Sequence, residues 1–168
     1  MDQSIALAPP ALSTTPRKLT QVRTRSYKTV KSLVDQWHST LRAPVGFRLA
    51  FLLYDGAVVV GVSTWGRPTA RLEDQLTTLE HTRMALCAGA PRNTASWFIA
   101  QNRKWIRENM LDIVRLIAYI NLENHTGVTY RADNWRTVYR KKTSHSWSNR
   151  PGRMGNECHW RAKFERQP

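Results

Sequence analysis

The sequence predicts one α+β domain in which strands and helices follow one another in the order β-α-β-β-β-α-β-α-β. The chain has 168 residues, 41% of them hydrophobic, which is enough to bury a core. Asp55-Gly56 separates two β-rich runs, a pattern typical of a hairpin with a type I′ turn. Residues 76–110 indicate a strand, a short loop with breakers, and a helix.

The N-terminal part predicts an arm, a strand and a helix. Residues 1–16 are small, polar and proline-bearing, and we expect a flexible N-terminal arm there. Residues 17–22 predict a short strand, and residues 26–39 predict a helix. The helix is expected to bury one face at helical spacing, formed by Tyr27, Val30, Val34 and Trp37.

The hairpin strands are expected over residues 47–54 and 57–65. Val58, Val59 and Val60 form a continuous apolar run, which indicates a central strand buried on both faces. Residues 66–75 predict a polar loop.

The next strand is predicted over residues 76–86, and a loop of small residues leads to a helix that begins near Asn93. Asn93 is a good N-cap, because its side chain can accept a backbone N–H from the first turn. The amides at such a helix start suit a phosphate or carboxylate. Most strand–helix connections bind nothing, so an ordinary connection is the alternative.

The remaining elements are a strand at 113–120, a short helix within 126–133 and a last strand at 135–140. Residues 141–168 are polar, basic and aromatic-bearing, and we expect a basic C-terminal tail rather than a core segment. The predicted domain therefore spans residues 17–140.

Charge and cysteine content limit the partners. The formal net charge is +14 and the pI is near 10.7, which favours a polyanionic partner, most simply DNA or RNA. Double-stranded DNA is the partner that we expect. Cys87 and Cys158 form no metal or disulfide pattern, which fits a reducing cytoplasm. No apolar run has membrane-spanning length, so no membrane partner is expected.

The element order resembles the GNAT acyltransferase fold. The resemblance implies a mixed, mostly antiparallel sheet flanked by helices, with splayed fourth and fifth strands. In that fold, the loop after the fourth strand and the following helix hold the pyrophosphate of an acyl-CoA, and the thioester arm enters between the two strands.

Five motifs over residues 17–153 are similar to the Mom group of GNAT-like proteins. They are Trp37-His38; Trp65-Gly66-Arg67-Pro68; Thr78-Leu79-Glu80-x-Thr82-Arg83-Met84 with Pro91-Arg92-Asn93-x-x-Ser96; His125-Thr126-Gly127-x-x-Tyr130-Arg131-Ala132-x-x-Trp135; and Trp147-x-x-Arg150-Pro151-x-Arg153. The resemblance implies modification of adenine in DNA, in a phage or mobile element that evades restriction, acting in the bacterial host cytoplasm. It also implies iron as a cofactor.

Two departures from the family patterns are visible. The loop Leu86-Cys87-Ala88-Gly89-Ala90-Pro91 lacks the glycine-rich pattern that usually binds acetyl-CoA. Asn121 stands where Mom-like proteins often carry an aspartate, and an amide is a poorer metal ligand than a carboxylate.

The donor-binding candidates are Arg83, Arg92, Asn93 and Ser96, where Ser96 could also assist a developing oxyanion. The alternative for Arg83 is an ion pair with Glu80 or Glu73. The donor itself stays open, with acyl-CoA or a related acyl donor as the expectation.

On the acceptor side, the resemblance implies Tyr130 as general acid, together with His125 and His38. The alternatives are a core tyrosine and surface or capping histidines. His38 and Tyr130 are the best candidates for ligands of the implied iron.

The nucleic-acid-binding candidates combine cations with an aromatic side chain, and they are Arg67, Arg71, Lys141, Lys142, Trp147, Arg150 and Arg153. The alternative is a solvated basic tail. Three functions remain open: a Mom-type DNA base-modifying transferase, an acyl-CoA-dependent N-acetyltransferase, and a non-catalytic nucleic-acid-binding protein. A homodimer is compatible with each.

Overall fold

The computed structural model describes residues 19–39, 41–142 and 160–168. In these ranges the strands are β1 (Leu19–Thr24), β2 (Leu49–Asp55), β3 (Val58–Gly66), β4 (Thr78–Leu86), β5 (Arg115–Asn121), β6 (Arg136–Lys142) and β7 (Trp160–Arg166). The helices are α1 (Tyr27–Trp37), α2 (Thr94–Asn109) and α3 (Val128–Ala132). The predicted N-terminal arm lies outside the described residues.

The strands form one sheet in the order β1-β2-β3-β4-β5-β7-β6. Every neighbouring pair is antiparallel except β4 and β5, which are parallel. The predicted mixed, mostly antiparallel sheet is therefore confirmed. The parallel pair needs a crossover, which α2 provides.

The predicted hairpin is confirmed, since β2 and β3 pair antiparallel around Asp55-Gly56 and Gly56 has φ 61°. The prediction that Val58-Val59-Val60 is buried on both faces is wrong at its start. Val58 is exposed beside the turn and Val60 is buried. The fully buried part of β3 runs from Val60 to Gly66, deeper in the sheet.

The prediction of a tail over residues 141–168 is wrong, as is the domain boundary at 140. β6 continues to Lys142, and β7 inserts between β5 and β6 near the end of the sequence. Ala162 and Phe164 join the main core, while Lys163 is buried on the other face and pairs with Glu73. The many cations of this stretch indicate a tail by composition. Their alternation with Ala162 and Phe164, however, follows the two-residue period of a strand.

The two faces of the sheet differ in their cover. One face, here the α1 face, packs Val62 and Ala85 against Val30 and Val34 of α1. The other, here the α2 face, carries the larger core around Trp65, together with α2 and α3.

Helix α1 corrects one detail of the predicted apolar face. Ser26 caps the helix by accepting from Thr29 N. Leu33 is buried with Val30 and Val34, while Tyr27 is exposed and donates its hydroxyl to the Pro44 carbonyl. Within the described parts of the chain, no helix is long and apolar enough to cross a bilayer.

Candidate active site

The parallel strands β4 and β5 separate partway along their length. They pair from Thr78 with Arg115 to His81 with Ala118, and no further. β4 then continues beside β3 to Leu86, whereas β5 continues beside β7 to Asn121. The register of β3 against β4 also shifts at Thr64 and Trp65. The carboxyl ends of β4 and β5 therefore lie apart, as predicted from the GNAT resemblance.

Helix α2 begins next to this opening, but the predicted side-chain cap is not formed. Asn93 occupies the N-cap position with φ 65°, in the left-handed region, and its side chain makes no capping hydrogen bond. The predicted side-chain cap is therefore wrong. Because an asparagine tolerates this conformation better than most residues, Asn93 closes the loop through its backbone instead. Its carbonyl accepts from Trp97 N at 3.0 Å.

The first turn of α2 contains a polar atom without a hydrogen-bond partner. Thr94 is 3% exposed, and its Oγ1 has no partner among the described residues. Ser96, by contrast, donates its hydroxyl to the Asn93 carbonyl at 3.0 Å. Arg92 is exposed at the end of the loop. The sequence reasoning missed Thr94, although its position just after Asn93 placed it in the first turn.

Arg83 is half-buried on the α1 face and holds the segment that follows α1. Its Nε donates to the Arg42 carbonyl at 2.9 Å and its Nη1 donates to the Thr82 carbonyl at 2.6 Å. The alternative ion pair is not formed, since Glu73 pairs with Arg115 and Lys163, and no described carboxylate lies within ion-pair distance of Arg83.

His38 and His125 come together on this face, which the sequence could not establish. Their ring centroids are 6.5 Å apart at nearly right angles. Burial lowers the pKa of His38, and the charge of Arg83 and the His125 ring lower it further. His38 is therefore neutral at pH 7. Its Nδ1 accepts from Leu41 N at 3.1 Å, which leaves the ring proton on Nε2.

Glu80 is a buried carboxylate near this cluster that was expected only as an ion-pair partner. Its Oε2 accepts from Thr69 N at 2.6 Å and from Thr69 Oγ1 at 2.9 Å. Burial raises the pKa of Glu80 above its ordinary value, against the effects of Thr69 and Arg83. A carboxylate with a raised pKa is a better proton acceptor than a solvated one. Sequence reasoning missed this role because the burial comes from the loop before β4.

Tyr130 lies on the α2 face, in a chain of buried hydrogen bonds. Its hydroxyl is 2.8 Å from His81 Nδ1, and His81 Nε2 is 3.0 Å from Ser63 Oγ. Ser63 in turn donates to Asn102 Oδ1 at 2.6 Å, and Trp65 Nε1 donates to the same oxygen at 2.7 Å.

The direction of this chain follows from Trp65, whose indole N–H can only donate. The Asn102 atom facing it is therefore the oxygen, so Ser63 donates to Asn102 and accepts from His81 Nε2. Burial lowers the pKa of His81 to about 3. Its Nδ1 then accepts the proton of Tyr130, whose own pKa burial raises. The Tyr130 proton is thus directed at His81, and the phenol packs on Phe164 and Trp135 as a core tyrosine does.

The predicted metal ligands do not fit an iron site. Tyr130 shares its proton with His81, and its raised pKa disfavours the phenolate that binds iron. The neighbour of His38 is His125, and the described residues include no group of three His, Cys, Asp or Glu side chains that could hold a metal. Asn121 uses its Oδ1 to accept from Glu123 N.

The predicted nucleic-acid residues are not gathered in one place. Arg67 and Arg71 are exposed on the β3–β4 loop, near the start of β4. Lys141 and Lys142 are exposed at the end of β6, beside the start of β7 and the end of β5. These lie at opposite ends of the sheet. Trp147, Arg150 and Arg153 lie outside the described residues.

Solved structures with a similar fold include acetyltransferases in complex with CoA or acetyl-CoA. A Bacillus subtilis acetyltransferase in complex with CoA superposes with a TM-score of 0.63 at 9% identity, over 90% of this chain and 99% of that one. A Salmonella typhimurium protein with its cofactor acetyl-CoA gives 0.63 at 10% identity, over 89% and 93%. An IAA acetyltransferase from Bacillus cereus gives 0.61 at 10% identity, over 90% and 100%.

These likenesses establish the fold, which is that of the GNAT acetyltransferases. A search of curated protein sequences finds no match. The family described as the Mom protein family matches residues 20–167, nearly the whole length of the sequence. The chain therefore belongs to the Mom protein family.

Proposed function

We propose that this protein is a transferase of the Mom type that modifies the exocyclic amine of adenine in DNA with an acyl-type donor. The observation that carries the proposal is the opening between β4 and β5 in a member of the Mom family, with a helix start on one side and Arg83, His38 and His125 on the other. A transferase needs a donor site and an acceptor site that meet, and the separated strands provide a passage between them.

On the donor side, the first turn of α2 suits the phosphates of an acyl-CoA. The helix has 16 residues, its first amides have no partner within the helix, and the unpartnered hydroxyl of Thr94 lies in that turn. Arg92 is exposed beside it. When bound, an acyl-CoA would supply an activated thioester carbonyl.

On the acceptor side, a residue near the opening can accept the proton that the reaction releases. Attack of the amine nitrogen on the donor carbonyl forms the new C–N bond, and the C–S bond of the thioester breaks. The thiolate leaves and takes up a proton from solvent, and the nitrogen must lose a proton. Glu80 is the proposed proton acceptor, because its raised pKa makes it a better base. His38 is neutral and carries its proton on Nε2, so it lines the acceptor side without adding a positive charge.

The adenine amine is paired inside a duplex and cannot reach such a cleft. The enzyme must therefore turn the nucleotide out of the stack or capture it unpaired. The net charge of +14 favours association with the phosphate backbone.

Nucleoside mass spectrometry of DNA from cells that express the chain tests the proposal. We expect a mass-shifted deoxyadenosine, and its loss by at least a hundredfold in Glu80→Gln, which keeps the shape of the side chain and an oxygen for Thr69. Glu108→Gln, on the exposed part of α2, is the matched control and should leave the yield unchanged. Unmodified nucleosides from well-expressed, folded protein would overturn the proposal.

A second candidate is an N-acetyltransferase that acts on a small amine or protein, and the shared fold favours it. Purified protein incubated with labelled acetyl-CoA and either oligonucleotides or a panel of amines separates the two. Label in the amines alone would support the acetyltransferase. The third candidate, a non-catalytic nucleic-acid-binding protein, predicts DNA binding without label in either.

A further inference from the structure

Cations lie opposite one another at the end of the β6–β7 pair where β6 ends and β7 begins, here called the upper end. Lys141 lies directly opposite Arg161 in the register, with Arg140 and Lys142 on either side. All four side chains belong to exposed residues. Like charges directly opposite in a sheet destabilise the pairing, so this arrangement costs stability in the free protein.

At the other end of the same two strands, cations are paired with carboxylates. Arg136 pairs with Glu165 at 3.2 Å, and the buried Lys163 pairs with Glu73. At the upper end, by contrast, no described carboxylate lies within ion-pair distance of Arg140, Lys141, Lys142 or Arg161. Among the described residues, the absence of acidic partners is therefore local to this end, where Lys141 Nζ instead lies 5.0 Å from the centre of the Tyr139 ring.

An aromatic side chain lies among these charges. Trp160 begins β7 opposite Lys142 and is 50% exposed, more than any other tryptophan in the described ranges. Because side chains alternate along a strand, Trp160, Lys142 and Arg140 lie on the same face of the sheet as Ala162, whereas Lys141 and Arg161 lie on the other face. An exposed indole beside two cations can stack on a nucleobase while the cations contact phosphates. We call Trp160, Arg140 and Lys142 the β7 platform.

The β7 platform is connected to the candidate active site through the end of β5. The Trp160 carbonyl accepts from Leu122 N at 2.8 Å, and Arg161 lies opposite Asn121. The Asn121 carbonyl accepts from His125 N at 3.0 Å. The loop that presents His125 is therefore hydrogen-bonded to the same strands that present the platform.

We propose that the β7 platform binds an unpaired stretch of nucleic acid, with Trp160 stacked on a base that neighbours the modified one. The inference rests on the proposed function for its nucleic-acid partner. An unpaired strand is favoured over a duplex because an indole face can stack on a base only when that face of the base is uncovered. The platform would thus hold the strand locally open while the target base enters the cleft.

Fluorescence anisotropy with two labelled oligonucleotides tests the stacking. One is a single strand of twelve nucleotides, and the other has the same length and phosphates but abasic sites in place of the central bases. We expect Trp160→Ala to weaken binding to the base-bearing strand about tenfold or more and to leave the abasic strand unchanged. Trp97→Ala, which removes a 38%-exposed tryptophan from α2, is the matched control and should change neither.

The charges are tested with the double variant Arg140→Gln, Lys142→Gln. We expect weaker binding to both strands and a slope of log affinity against log salt that is shallower by about 1.4, since each single-strand phosphate contact contributes about 0.7. The melting temperature should change little, because both side chains are exposed. The control Lys104→Gln, Arg107→Gln on α2 should leave both affinity and slope unchanged.

Three results would overturn the inference: unchanged binding in Trp160→Ala, an equal loss on the base-bearing and abasic strands, or an unaltered salt slope in the charge variant. The outcome is separable from that of the proposed function. Base-dependent binding without a modified nucleoside would support the platform and reject the transferase. A modified nucleoside together with unchanged oligonucleotide binding in these variants would support the transferase and reject the platform.

Discussion

On the α2 face of the sheet, one chain of buried polar groups is hydrogen-bonded at every step, whereas on the α1 face two histidines stay partly exposed next to the half-buried Arg83. The chain from Tyr130 through His81 and Ser63 to Asn102 is closed at every step. Across the sheet, His38 is half-buried and His125 is exposed. Saturated polar groups specify a core, whereas partly exposed titratable groups are those that a ligand can reach.

Two histidines illustrate the difference. His81 is neutral because it is fully enclosed, and both of its nitrogens are used by Ser63 and Tyr130. His38 is neutral because of partial burial next to Arg83 and His125, and it remains half-buried at the end of α1. The comparison predicts that changes on the α2 face alter stability first, and that changes on the α1 face alter chemistry first.

The largest expected effect is on stability, from Asn102→Leu. The change leaves the indole N–H of Trp65 and the hydroxyl of Ser63 buried without an acceptor. Each buried unpaired donor costs about 1–3 kcal/mol, so the free energy of unfolding should fall by about 4 kcal/mol and the melting temperature by about 10 °C. The control is Asn109→Leu, at the exposed end of the same helix. This variant should shift the melting temperature by at most about 1–2 °C. Equal melting curves for the two variants would contradict a structural role for the chain.

The next effect is on chemistry, from Arg83→Ala. We expect product yield to fall at least a hundredfold, about 2.7 kcal/mol in barrier, because the segment after α1 loses its anchor at Arg42 and the cleft loses a cation. The melting temperature should change by only a few degrees. Arg48→Ala is the control, since Arg48 is another arginine that donates to a backbone carbonyl, that of Leu76, and it is exposed. A yield that follows melting temperature in both variants would remove Arg83 from the site.

A third effect concerns pH. Unfolded His81 takes up a proton near its ordinary pKa of about 6.5, whereas the folded residue does so only at about 3. Between these values the unfolded chain binds more protons, so stability falls as pH falls and is fully retained above about 6.5. From pH 6.5 to pH 5 the expected loss is about 2 kcal/mol. Urea denaturation of the wild type and His81→Gln checks this, since the variant should lack that part of the slope; parallel slopes would show that His81 is not responsible.

The smallest effect is expected from Ser96→Ala. Its hydroxyl bonds only to the Asn93 carbonyl among the described contacts, so the change should cost less than about 0.5 kcal/mol in stability. If Ser96 contacts the donor, yield should fall by about tenfold without a change in melting temperature. Normal yield would restrict the donor contacts to Thr94 and the backbone amides of the first turn.

The periodic elements were predictable from the sequence, because burial on one face leaves a direct trace in residue spacing. The hairpin at Asp55-Gly56 and the strand–loop–helix around Asn93 are confirmed within a few residues. The element missed was β7. Its apolar residues, Ala162 and Phe164, are too few to outweigh the surrounding cations, and only the pairing with β5 and β6 makes it a strand.

The helix start near Asn93 was predictable from the local pattern. The family resemblance selected Arg83, His38 and His125 as site candidates, and that role stays a prediction; their contacts could not be predicted. The sequence by itself determined the order of the elements from β1 to β6, the basic charge and the family, since each of these is recorded in residue type and spacing. Only the tertiary structure decided that His38 meets His125, that the proton of Tyr130 is directed at His81, and that Glu80 is buried. Those features depend on side chains from distant strands and loops being enclosed together, and burial and hydrogen-bond direction exist only once the sheet has formed.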